Sequence, residues 1–138
     1  MDLKKAKQYL IENGCTCVLC LGDELASSRD RGIRPLLTLL DSGKSYADYC
    51  AADKVVGRAT AFLYCLLHIR AIHACVLSEG AAQVLTAHHI PFSYDQLVPG
   101  IRNRTNTGPC PMEQATQGIT DPAAALTAIR TRLWELMG

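Results

Sequence analysis

The chain has 138 residues, of which 49% are hydrophobic and 20% charged, and its formal net charge is +1. That length suits one compact domain over residues 1–138, and the composition shows no disordered or low-complexity bias. A charge so close to zero lacks the basic footprint of a nucleic-acid binder or of a protein held on anionic lipid.

The opening residues MDLKKAKQYLIENG carry charges where a signal peptide needs an apolar region. The longest apolar run, residues 60–69, is well short of the roughly twenty residues that cross a bilayer. A cytoplasmic protein with no nucleic-acid and no membrane partner is expected. The seven cysteines, an odd number, lie mostly in apolar runs and read as reduced core thiols, so no structural disulfide is expected.

Leu3, Ala6, Leu10 and Ile11 form one stripe of an opening helix over residues 2–13, and Asn13-Gly14 stops it. Residues 15–21, CTCVLCL, are apolar on both faces and predict a central strand; Gly22-Asp23 turns the chain into a second strand over residues 24–28. After a polar connection, Pro35 suits a first helical position, and Ile33, Leu36, Leu37 and Leu40 share a face until Asp41-Ser42-Gly43. Residues 44–52 read as a short helical turn or a loop.

Residues 53–68, DKVVGRATAFLYCLLH, predict a buried central helix on which the other elements pack, with Asp53 capping its free amides. Residues 71–77 predict a buried strand in which His73 is a satisfied core histidine, and Ser78 predicts the cap of a helix over residues 79–88. Strands follow over residues 90–94 and, at an edge because of Pro99, over residues 98–103. A short helix over residues 111–117 and a closing helix opened by Asp121-Pro122 complete the chain.

This order predicts an α/β fold: a three-layer α/β/α sandwich with a mixed sheet of about five strands. In such sheets ligands bind beyond the carboxyl ends of the strands, where helix starts gather. Asp53-Lys54, Ser78-Glu79 and Cys110-Pro111-Met112-Glu113 are expected to meet there.

The segments DKVVGRATA, RGIRPLL, VLSEGA and IRNRTNTGPCPME resemble a small bacterial domain-of-unknown-function family with a cytidine-deaminase-like fold, over nearly the whole chain. Zinc deaminases carry His-x-Glu at the start of the central helix and Pro-Cys-x-x-Cys at the start of the next. The corresponding positions here look like Asp53-Lys54-Val55 and Ser78-Glu79-Gly80-Ala81-Ala82, which lack the zinc ligands. The resemblance therefore implies the fold without a zinc site, and no metal and no cofactor are expected.

Lys54, in the first turn of a helix, opposes the helix dipole and calls for an acceptor: Asp53, Glu79, Glu113 or an anionic ligand; desolvated, it becomes a nucleophilic or proton-accepting amine, a catalytic candidate. Cys110, ahead of Pro111 at a helix start, is the best placed of the seven thiols to act as a nucleophile, with Asp53 or Glu113 moving protons. Gly57 signals close packing. Arg102, Asn103 and Arg104 stand just before the Cys110 helix, within reach of a phosphate or carboxylate. Alternation along a strand separates Cys17 from Cys20, which argues against a metal at Cys15, Cys17 and Cys20.

Three readings follow. The first is a deaminase-fold protein that binds an unknown small anionic or nucleotide-like molecule through Lys54, Ser78, Glu79, Asn103 and Arg104. The second is a metal-independent hydrolase or transferase using Cys110. The third is an interaction domain with a filled pocket, such as a homodimer.

Overall fold

The computed structural model describes residues 2–30, 32–102, 108 and 110–137. Helix α1 (Asp2–Glu12) leads into a hairpin of β1 (Cys17–Leu21) and β2 (Glu24–Ser28). Next come α2 (Arg34–Asp41), β3 (Cys50–Val56), α3 (Arg58–Leu67), β4 (Ala71–Ser78), α4 (Glu79–Ala87) and β5 (Phe92–Val98). Helices α5 (Pro111–Thr116) and α6 (Pro122–Met137) close the chain.

The five strands form one mixed sheet in the order β2-β1-β3-β4-β5. Strand β1 runs antiparallel to both β2 and β3, whereas β3, β4 and β5 are parallel. Helix α1 covers one face: Ala6 and Leu10 pack on Cys15, Val18, Cys20 and Ala52. The other face holds the larger core, where Leu19, Ala51, Ile72 and Ala74 meet side chains from α2, α3, α4 and α6. Helices thus flank the sheet on both sides, as the alternation of apolar residues requires.

Helix α3 is the centre of the larger core. Ala59, Ala61, Phe62, Leu63, Tyr64, Cys65 and Leu67 are all buried, and the helix packs against α2, α4, α5 and α6. A helix apolar on every side has to be enclosed in this way. It ends at His68, whose backbone is left-handed with φ 59°.

Several expectations are corrected. The central helix begins at Arg58, not Asp53, because Asp53, Lys54, Val55 and Val56 complete β3. Pairing on both sides of that strand, Cys17 against Asp53 on β1 and Asp53 against Ala74 on β4, outweighs the poor strand preference of Ala-Ala-Asp-Lys. Residues 50–52 consequently belong to a strand rather than to a loop or helical turn. The fifth strand is β3 rather than residues 98–103: Val98 ends β5, and the far end of that segment lies outside the described residues. Ile11, expected on the apolar stripe of α1, is 73% exposed. All seven cysteines are free thiols, and among the described residues no helix is long and apolar enough to cross a membrane.

Candidate functional site

A cleft of about 890 Å³ opens where the carboxyl end of β3 meets the starts of β1, α2 and α5 and the last turn of α6. Its lining includes Asp53, Lys54, Cys110 and Glu113, so four of the residues singled out in the sequence share one hollow. Ser78 and Glu79 do not line it. Ser78 is fully buried, and its Oγ accepts from the Ala81 amide at 3.0 Å as the cap of α4. Asn103 and Arg104 lie outside the described residues.

Asp53 sits at the floor, 8% exposed. Its Oδ2 accepts from the Tyr64 hydroxyl at 2.7 Å and its Oδ1 from the Val55 amide at 3.1 Å. It therefore caps no helix; its partners are the amide two residues on in its own strand and the middle of α3. Burial pushes the carboxyl up to about 7, against the opposing pull of the Tyr64 hydroxyl and the neighbouring amides. The buried Tyr64 hydroxyl is held well above its ordinary value, first by burial and then by the Asp53 charge. Cys17, opposite Asp53 in the sheet, also lines the cleft, and burial followed by Asp53 pushes its thiol up to about 12. It is an inert thiol at neutral pH.

Glu113 occupies the start of α3. The Arg58 amide, an unsatisfied helix-start donor by position, donates to Glu113 Oε1. Gly57 precedes it as the N-cap and supplies no side-chain cap. A Cβ at Gly57 would overlap Glu113 Oε1 and stand 2.9 Å from Ile101 Cγ1. The close packing expected at Gly57 is thus against a carboxyl from α5. Burial raises the Glu113 acid, while the Arg58 amide and charge lower it.

Arg58 was not legible as important in the sequence, yet it joins three helices. Its Nε donates to Thr116 O at 2.9 Å, its Nη2 to Ile119 O and its Nη1 to Gly80 O at 3.5 Å. The guanidinium also lies 5.3 Å from the Phe62 ring centroid. Nor does the sequence signal Tyr64, because its eleven-residue separation from Asp53 spans a strand-to-helix boundary that no single periodicity links.

Lys54 is exposed at the end of β3, not in a helix, and forms no ion pair among the described residues. The expected conflict with a helix dipole does not arise. Arg34 and Arg102 line the cleft with Lys54, which brings three cationic residues to it. Cys110 is half-buried on the wall at the start of α5, a helix of six residues.

The architecture defines an α/β domain with an open mixed sheet and a cleft large enough for a small organic molecule. The chain belongs to the family described as a domain of unknown function (DUF1893), whose model, TM1506, matches residues 5–133. It is similar to the crystal structure of a DUF1893 family protein (TM1506) from Thermotoga maritima, determined at 2.70 Å resolution. The TM-score is 0.85 at 24% identity, covering 97% of this chain and 89% of that chain, so the likeness speaks for the fold. No curated protein matches the chain.

Proposed function

We propose that the chain binds a small organic anion in the cleft beside Asp53, with the anionic group at the mouth and an apolar or planar body inside. The carrying observation is that Arg34 and Lys54 line the cleft together with two acids whose ionisation burial disfavours, Asp53 and Glu113. Burial works against the charged form of both acids, which lessens their competition with a bound anion for the cations. Ile33, Leu36, Ala59, Ile101, Met112 and Leu133 supply the apolar lining that holds the rest of such a molecule.

The cytidine-deaminase-like reading belongs to the same proposal and is supported by the order of a hairpin followed by β3, α3, β4, α4 and β5. Zinc chemistry of that kind does not fit. With α3 starting at Arg58, its N-cap and first residues are Gly57, Arg58 and Ala59, which offer no metal ligand. The Arg58 guanidinium, reaching Gly80 O, spans the gap between the starts of α3 and α4.

A second reading, an acid–base enzyme, is favoured by one observation: Asp53 lines the cleft with its carboxyl at about 7, where it gives or takes a proton at neutral pH. Cys110 on the same wall would be the nucleophile of that reading.

Thermal shift against nucleotides, sugar phosphates and organic carboxylates tests binding, since a ligand of the native state alone raises its stability. The expected result is stabilisation by an anionic compound that Lys54→Ala and Arg34→Ala each weaken. Stabilisation that both variants leave intact, or none across the panel, overturns the proposal.

A further inference from the structure

On the sheet face opposite Asp53, three metal-ligating side chains converge. His73 and Cys75 stand two apart on β4 and so share a face, the one covered in part by α1. Asp95 on β5 lies between Tyr94 and Gln96, which pair with Ala74 and Val76, and this register sets it beside Cys75. One donor atom from each of the three residues lies within 4.8 Å of the others.

We propose that His73, Cys75 and Asp95 bind a divalent transition metal of the zinc class, leaving one coordination position open. An imidazole nitrogen, a thiolate and a carboxylate are the donors that such an ion takes, and three protein ligands leave a tetrahedral ion with a vacant corner. His73 Nε2 and Asp95 Oδ1 are 3.3 Å apart. That is long for a charged hydrogen bond, but zinc–ligand bonds of about 2.0–2.1 Å give a tetrahedral edge of about 3.3–3.4 Å. The Asp95 side chain is 66% exposed and is free to complete the shell by rotating, while the His73 side chain, 5% exposed, is fixed.

A second observation supports the ion. His73 Nδ1 lies 2.7 Å from Ser93 Oγ. With Nδ1–H donating to that hydroxyl, the lone pair on Nε2 points at Cys75 and Asp95, the arrangement by which a neighbouring group orients a ligand histidine.

A nucleophilic role for Cys75 fits less well. Burial, and then Asp95, raise this thiol, so a metal-free Cys75 keeps its proton and is unreactive. On metal binding the thiol proton leaves to solvent and the thiolate takes its place on the ion. Lys54 is the cation acting on Cys75 and Asp53 acts through the strand; with thiolate and carboxylate both bound, the ion's two charges are balanced within the site.

The test is titration of the chelator-treated full chain with Co²⁺, which reports coordination by its visible and near-ultraviolet spectrum. The expected spectrum shows intense tetrahedral visible bands and a thiolate-to-cobalt charge-transfer band that saturate at one ion per chain and disappear when Zn²⁺ is added. Cys75→Ser should remove the charge-transfer band, whereas Cys17→Ser and Cys110→Ser should retain it. Asp95→Asn, an exposed substitution that leaves the core untouched, and Ser93→Ala should each weaken binding by about tenfold or more. If Cys75→Ser fails to fold, Asp95→Asn decides. Absence of a thiolate band, a band that survives Cys75→Ser, or affinity unchanged by Asp95→Asn overturns the assignment.

Discussion

The Tyr64 hydroxyl donates to Asp53 Oδ2 across 2.7 Å, tying the middle of α3 to the strand that precedes it. Both residues are buried. The bond pulls the Asp53 acid down against the burial that raises it, and burial wins, with consequences for stability against pH.

Burial favours the neutral acid, so between the ordinary value of 3.8 and about 7 the folded chain holds a proton that the unfolded chain has released. The stability due to Asp53 therefore falls as pH rises through that window and is level on either side of it. The full effect is on the order of 4 kcal/mol. Urea unfolding of the wild type and of Asp53→Asn across the window should show the wild type losing ground to the variant as pH rises. A difference between them that is flat with pH would mean that Asp53 ionises as an ordinary carboxylate.

Tyr64→Phe removes a donor and leaves the carboxyl with one fewer partner. The expected loss is about 1–3 kcal/mol and grows above the Asp53 titration, where the group left behind is a carboxylate rather than an acid. Denaturation on both sides of that titration measures it. Equal losses at the two pH values would argue that the hydroxyl matters only through packing.

Gly57→Ala drives a methyl group into the Glu113 carboxyl and towards Ile101. The carboxyl can swing aside, but only by giving up the Arg58 amide, so a loss of about 2 kcal/mol is expected. In a Glu113→Ala background the same substitution should be milder by at least about 1 kcal/mol, which a double-mutant cycle reads directly. Additive effects would show that the two positions do not meet.

Ser78→Ala removes the cap of α4, for which about 1 kcal/mol is expected. Because Ser78 does not line the cleft, a ligand found for the wild type should bind the variant equally well. Calorimetric titration beside thermal denaturation separates the two effects. Lost affinity with retained stability would return Ser78 to the binding residues.

Local signals in the amino-acid sequence determined most of the elements by themselves: α1, the β1–β2 hairpin, α2, β4 and the capped start of α4 stand close to where periodicity, turn residues and capping residues place them. These signals act over a few residues, the range at which side chains repeat on a face and a serine reaches its own helix. Only the tertiary structure decided that residues 50–56 are a strand, because two neighbouring strands supply the hydrogen bonds that Ala-Ala-Asp-Lys does not favour alone. It likewise decided that Asp53 meets Tyr64 and that Glu113 fills the start of α3. The meeting of Asp95 with His73 depends on the β4–β5 register. Each of these contacts joins separate elements, and its position is set by how the elements pack, which depends on burial across the whole core and not on the residues beside it.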